Sequence, residues 1–499
     1  MITRSYRFAL MALVPASLLV LTAVPGSSAP QLAKAAVAAP RLDPLLAGWN
    51  ATPASTKPYC YWYWWNNIVT KEGITKDVEM MAKNGIGGAY IGNVGGPEVD
   101  NPRNGRVKGF SDEWYELLQH AVREGKRLGV QIGVFNGSGW SQSGGPWVKP
   151  EDSMQFIDCT EVRVSGGTQI NQVLPRVQEA VREVRVIAFP APANDGDILR
   201  AAKVTSPQGD ELGVLVDGAS HNFPANKNYG RMSLTWEFEN PVTLRSMLFQ
   251  HHNGNQNGGR ILYSTDGTDF KPLRDFALDR RDGPQVLLGK RPGAVSTPPT
   301  TAKFFRVEMN WDTVRDGHDL GIQLSSAARL ESAEEKQLGI ASRENNPGWD
   351  HFRWPATPEP VVGAVAPDKV IDITAKMGAD GRLVWDAPAG NWVVQRYSTV
   401  STGEKAGPTA DDLTGLEIDK MSRDVAKRHI EQGMVGELYR RLKPEERSGF
   451  KFAIADSYEK GFQNWTAKMI PEFKTRFGYD PLPWMPVLSG RIVGSAEQS

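Results

Sequence analysis

Residues 59–65 read YCYWYWW, six aromatic side chains in seven, and this apolar run predicts a strand. Asp77, Val78, Met81 and their neighbours then carry a helix that stops at Asn84 and Gly85. Residues 86–93 form a second short apolar run. Ser111 is placed to cap a longer helix, with Trp114 at the third helical position rather than the Glu of a capping box. Behind it Trp114, Leu117, Leu118, Ala121, Val122 and Leu128 recur at helical spacing and predict one buried face, ended by Gly129. Residues 130–136 make a third strand. Strands alternating with helices at this spacing imply a parallel sheet, closed or open.

The rhythm breaks near residue 160. From there to about residue 390 the chain is rich in Gly, Pro, Asn and Thr, and its apolar runs are short: 184–189, 232–238, 260–264 and 304–309. Turn signals such as Asp266-Gly267 and Asp282-Gly283 separate them, which predicts an inserted antiparallel, sandwich-like region over 161–390. The β-then-α pattern resumes at 391–499. Residues 392–400 read as a strand, 422–442 as one long helix capped by Ser422, and 450–456 as another strand. A helix around Met469, Phe473 and Phe477 ends at Gly478, with Pro471 beginning or kinking it. These are about five strands of parallel character, whereas a closed (β/α)8 barrel needs eight. The expectation is a piece of a longer protein, with 40–160 as the first part of the parallel unit and 391–499 as its truncated continuation.

The N-terminus adds an address. Arg4 and Arg7 precede an apolar run over residues 8–24, followed by Gly26, Ser27, Ser28 and Ala29, the layout of a secretory signal occupying residues 1–35. A membrane anchor is the alternative, but the run is short and contains Pro15. The expected location is secreted or periplasmic, without stable membrane insertion. An exported chain could bridge Cys60 and Cys159, its only cysteines, or keep them as two free thiols.

Composition narrows the chemistry. Lys+Arg and Asp+Glu are both 57, so no global basic footprint for nucleic acid exists and any charged site is local. The chain has 499 residues, 40% of them apolar, enough for more than one globular module. Fifteen Trp residues suit flat, amphipathic ligands such as sugars, or simply fill the core. Gly85, Gly87 and Gly88 end a helix and enter a strand, the wrong order for dinucleotide binding, so no organic cofactor is expected.

In a β/α architecture reactive groups collect at the C-terminal strand ends. Those ends hold Trp64, Trp65, Asn66 and Asn67; Asn93; Asn136, Trp140 and Ser141; and Asp456, Ser457, Tyr458 and Glu459. Amides beside indole faces answer the donors and acceptors of a polyhydroxylated ring, although an Asn after a strand also serves plain turns. Glu459, flanked by Tyr458 and shortly before Trp465, is the sharpest candidate for a general acid, against a surface Glu beside Lys460. Hydrolysis of a glycoside calls for a second carboxylate, and Glu417, Asp419 and Asp456 are the partners in reach. Glu417 and Asp419 share a face if extended and could also bind a cation such as Ca2+, or pair with Lys420.

Four blocks occur in order: YWYWWNNIVTKEGITKDVEMMAKNGIGGAYI, FNGSGWSQSGGPWVKPEDSMQ, GLEIDKMS and DSYEKGFQNWTAKMIPEFKTRFGYDPLPWMPVLSGR. Together they resemble glycoside hydrolase family 106, the α-L-rhamnosidases. The resemblance implies an α/β fold, a (β/α)8 TIM-type barrel incomplete in this chain and interrupted by β modules. It also implies inverting cleavage of terminal α-L-rhamnosyl residues from a rhamnose-containing glycan, and a calcium ion. The glutamate of the D-S-Y/W-E block, the expected acid, maps onto Glu459, and the base is expected further along than this chain extends. A carbohydrate-binding protein without catalysis, or a glycosidase for another sugar, keeps the same aromatic and amide lining.

Overall fold

The computed structural model describes residues 46, 48, 49, 53–96, 106–193, 195, 198–209, 221–223, 231–251, 256–279, 293–310, 318–338, 356–358, 361–457, 460, 461 and 463–499. The chain divides into two compact units, Met1–Ala54 and Ser55–Ser499. In the first, residues 46, 48 and 49 are helical, and the signal segment read over 1–35 lies outside the described residues. All elements named below lie in the second.

Its first half-turn follows the sequence pattern closely. Strand β1 (Tyr59–Tyr63) leads to helix α1 (Lys71–Lys83), β2 (Gly88–Gly92), α2 (Asp112–Leu128) and β3 (Gln131–Phe135). The Ser111 hydroxyl accepts a hydrogen bond from the Trp114 amide, and Gly129 ends α2 in the left-handed conformation at φ 75°. Strands β1 and β2, and β2 and β3, pair in parallel. Trp62, Trp64, Ile91, Ile132 and Val134 pack on one side of the sheet against Val78 of α1 and Trp114, Leu118 and Val122 of α2.

Three further sheets follow among the described residues, the smallest a two-stranded one. Strands β4 (Gln155–Ser165), β5 (Gln169–Val173) and β6 (Ala180–Pro190) lead into β7 (Lys203–Thr205), β8 (His221–Phe223), β9 (Arg231–His251), β10 (Gln256–Ser264), β11 (Lys271–Asp279), β12 (Gly293–Asn310) and β13 (His318–Ser325). Strands β7 to β13 build one seven-stranded antiparallel sheet with a buried core of Trp236, Phe249, Phe305 and Ile322. The Asp266-Gly267 signal does close the hairpin between β10 and β11. The Asp282-Gly283 signal lies outside the described residues. Helix α3 (Ala333–Leu338) follows, then β14 (Ile371–Asp372), β15 (Arg382–Asp386) and β16 (Asn391–Ser401).

Strand β16 corrects the reading in which the parallel rhythm resumes at 391. It lies antiparallel between β4 and β6, in a four-stranded sheet of order β14-β6-β16-β4. Its near-continuous burial looks like a parallel-sheet strand in sequence because it is covered on both faces. The long helix expected over 422–442 is instead two, α4 (Arg423–Gln432) and α5 (Met434–Arg441), broken at Gly433, whose backbone is extended. A methyl group there would meet the His429 carbonyl at 2.4 Å and the Trp147 ring at 2.7 Å.

Strand β17 (Phe450–Ile454) then returns to pair in parallel with β3, giving the order β1-β2-β3-β17. Helix α6 (Met469–Phe477) carries Pro471 in its first turn and ends at Gly478 in the left-handed region. The parallel sheet is open but curled. Its outermost strands stand three strand spacings apart, about 14 Å if the sheet were flat. Nevertheless the Tyr59 ring of β1 stacks on Phe452 of β17 with centroids 5.6 Å apart. The face away from the helices is therefore concave and floored with rings. Gly133 makes room for them, because a methyl group there would lie 1.9 Å from the Phe452 ring. We expect Gly133→Ala to lower stability by about 1–3 kcal/mol in denaturant melts. A melt unchanged within about 0.5 kcal/mol would contradict this close packing.

Candidate active site on the concave face

Along β1 the side chains alternate as the pleat requires. Tyr59, Tyr61, Tyr63 and then Trp65 are exposed, while Trp62 and Trp64 are buried toward the helices. The Trp62 indole donates to Asp77 of α1 at 3.0 Å. Beyond the strand, Asn66 and Asn67 adopt left-handed backbone conformations, with φ of 49° and 56°. Asn67 Oδ1 accepts from Asn93 Nδ2 at 3.0 Å and from the Trp114 indole at 3.2 Å. Asn66 Oδ1 accepts from the Gly96 amide at 2.9 Å. Of the strand-end residues singled out in the sequence, Trp64, Asn67 and Asn93 thus brace the sheet from within, and Trp65 is accessible.

The third strand end is a loop held from several directions. Asn136 Nδ2 donates to the Gln142 carbonyl at 3.3 Å, Ser138 Oγ to the Leu413 carbonyl at 2.6 Å, and the Gly139 amide to the Asn93 carbonyl at 2.9 Å. Trp140 is half-buried and meets Tyr63 edge to face, with centroids 5.3 Å apart. Ser141 is buried and donates to Glu417 Oε1, while Ser143 Oγ donates to Glu417 Oε2 at 2.6 Å. His429 lies buried nearby, its Nδ1 accepting from the Trp147 indole at 3.1 Å. Burial pushes its imidazole pKa down, against an opposing pull from the backbone carbonyls of Gln142 and Asn136.

Glu417 is fully buried, and its Oε2 also pairs with Lys420 Nζ at 2.8 Å. Asp419, also buried, accepts from Gln463 Nε2 and Thr466 Oγ1, both at 2.6 Å, and from the Met421 amide at 3.0 Å. Each of these carboxylates accepts three hydrogen bonds from hydroxyl, amide or ammonium donors, the opposite of the oxygen cage that Ca2+ takes. The two residues do not fit a calcium site. Among the described residues no group of three or more His, Cys, Asp or Glu side chains is gathered for a metal ion. Cys60 and Cys159 are free thiols.

Asp456 occupies a different setting. It follows β17, is exposed on the concave side, and receives Tyr61 Oη on Oδ2 at 2.6 Å and Gln142 Nε2 on Oδ1 at 2.7 Å. That hydrogen bond, with some burial, pushes the Tyr61 phenol up to about 12. Glu459, and Tyr458 beside it, lie outside the described residues. What the structure brings together is an accessible carboxylate, Asp456, with the rings of Tyr61, Tyr63 and Trp140 along one curved sheet, while Trp65 is exposed just past the end of β1. An acceptor carboxylate beside aromatic faces suits a polyhydroxylated ring. Tyr61, Tyr63 and Gln142 were not among the sequence candidates. The period-two alternation over 59–65 carried the signal for the two tyrosines, and nothing local marked Gln142.

Comparisons with known proteins identify the family. The family model for alpha-L-rhamnosidase, glycoside hydrolase family 106, matches residues 50–499. A solved rhamnosidase from Novosphingobium sp. PP1Y is 29% identical, superimposes with a TM-score of 0.75, and is similar over 91% of this chain and 43% of its own. A Formosa agariphila protein carrying a beta-glucuronidase name is 24% identical over 461 residues, 92% of this chain and 27% of its own length. The chain therefore spans less than half the length of these relatives. With the family model covering nearly all of it, the chain belongs to glycoside hydrolase family 106, the alpha-L-rhamnosidases.

Proposed function

We propose that this chain carries part of the active site of an exported glycosidase that removes terminal α-L-rhamnosyl residues from rhamnose-containing glycans with inversion. The observation that supports it most is the concave aromatic face with Asp456 at its mouth, in a chain of this family. In this reading the curled four-stranded sheet is one part of a (β/α)8 barrel, completed by the stretch of the longer relatives that this chain does not cover. Glu459, three residues past Asp456, is the general acid that hands a proton to the departing glycosidic oxygen. A base from the uncovered stretch activates a water on the opposite face of the sugar. Asp456, Asn136, Trp65, Trp140 and Ser141 form or support the sugar-facing wall, with Trp64, Asn67 and Asn93 holding it from behind.

No helix among the described residues is long and apolar enough to cross a membrane. The experiment is to follow an aryl α-L-rhamnoside with the full-length protein by proton NMR, beside an aryl β-glucuronide. Appearance of β-L-rhamnose before the α anomer is the expected result. The α anomer first rules out inversion, and release from the glucuronide alone rules out the sugar.

A further inference from the structure

Tyr61 sits in the first strand of the parallel sheet, Gln142 in the loop after the third, and Asp456 after the fourth. Two elements, 395 and 314 residues distant from it in sequence, converge on this carboxylate, and the Tyr61 bond crosses the curled sheet between its outermost strands. Each Asp456 oxygen takes one strong donor: Oδ2 the tyrosine hydroxyl, Oδ1 the glutamine amide, with Ser457 Oγ more distant from Oδ1 at 3.3 Å. A carboxylate has about four lone-pair sites, so one remains on Oδ2, and on Oδ1 the long Ser457 contact is the one a ligand hydroxyl would displace.

Both donors are themselves held by their neighbours. Tyr61 stacks on Tyr63 with centroids 5.7 Å apart and planes 12° from parallel, and its ring meets Tyr90 and the edge of Phe135. Gln142 is 1% exposed, with its backbone in the left-handed region at φ 56°. An exposed aspartate without such partners would sample several rotamers. Here its plane is fixed before any ligand arrives, which removes an ordering cost from binding.

We infer that Tyr61 and Gln142 are positioning residues that act through Asp456, aiming its free lone pairs at a vicinal pair of hydroxyls on the bound sugar. This rests on the sugar-binding reading of the concave face and adds to it the means by which that face is preorganised.

The test is a mutant cycle in the full-length protein, reading KM and kcat on an aryl α-L-rhamnoside and the Kd of free L-rhamnose. Tyr61→Phe and Gln142→Leu should each raise KM and Kd about tenfold, the scale of a lost hydrogen bond to a charged group, with kcat changed far less. In an Asp456→Asn background the same two substitutions should add nothing. Additive losses there, or unchanged KM in the single variants, overturn the inference.

A spectroscopic reading checks the contact without catalysis. At about pH 11 the Tyr61 phenol should stay un-ionised in the wild type and ionise in Asp456→Asn, read at 295 nm against the matching Tyr61→Phe proteins. Ionisation of Tyr61 in the wild type at that pH overturns the contact and the inference with it. Failure of the wild type to bind rhamnose or cleave a rhamnoside would instead overturn the functional reading, a result visible before any variant is made.

Discussion

Glu459→Gln in the full-length protein is expected to reduce kcat on alkyl α-L-rhamnosides by about a thousandfold. General-acid assistance contributes roughly 10²–10⁴ to such a step, and the amide has no proton to give to a poor leaving group. The loss should shrink on a dinitrophenyl rhamnoside, whose phenolate leaves without protonation. KM should move little, since glutamine keeps the size and hydrogen-bonding capacity of the protonated acid. Steady-state kinetics on the two substrates decide the matter. Turnover within about tenfold of wild type on the alkyl glycoside removes Glu459 from the mechanism.

The second large effect concerns stability. Arg491 is 1% exposed and pairs with Glu161 and, at 2.6 Å, with Asp195, which also receives Arg163 at 3.1 Å. Gln395 of β16 donates to Glu161 at 2.9 Å, so one buried network ties β4, β16 and the C-terminal segment together. Burial alone would push Glu161 up, but the guanidinium of Arg491 and that of Arg329 overcome it and hold the carboxyl at about 2.

Replacing Arg491 by Met takes from Asp195 and the partly buried Glu161 the guanidinium they share, leaving them Arg163 and Arg329, and we expect a loss of up to about 3–5 kcal/mol, read as a fall in Tm. Adding Glu161→Gln and Asp195→Asn should recover part of it, because the cost is the unpaired charge rather than the missing attraction. A triple variant less stable than Arg491→Met would contradict that account.

The pH dependence has a fixed sign. Glu161 is depressed in the folded protein, so its contribution is complete above the ordinary Glu pKa of about 4.3 and fades as pH falls toward 2. A melt series showing the network's contribution lost on the alkaline side would be inconsistent with it.

The sequence made some features plain and concealed others for physical reasons. Helix α2 was readable because the Ser111 cap, the apolar stripe and Gly129 all point to one element. Strand β16 was assigned to the wrong sheet, since burial on both faces yields the same apolar run in parallel and antiparallel surroundings. The break between α4 and α5 falls at Gly433, where the Trp147 ring leaves no room for a side chain, a contact between distant segments. Within the site, the expectation that strand-end amides face ligand met a structure in which Asn67 and Asn93 bond to each other in the interior. Glu417, offered as a second carboxylate or a cation ligand, pairs with Lys420 as the sequence also allowed, and its setting depends on Ser141 and Ser143, whose approach no local pattern records.

The antiparallel pairing of β4 with β16 runs from Ser165 opposite Asn391 to Gln155 opposite Ser401. The long excursion of chain between β3 and β17 is therefore stapled at its neck, with its exit and re-entry side by side. Loop-closure entropy for bringing β17 to β3 is then set by the short arms outside the staple and not by the whole excursion. Assembly of the antiparallel layer thereby lightens the kinetic burden of a parallel sheet with such high contact order, and favours a sequence in which β17 docks after β4 and β16 have met.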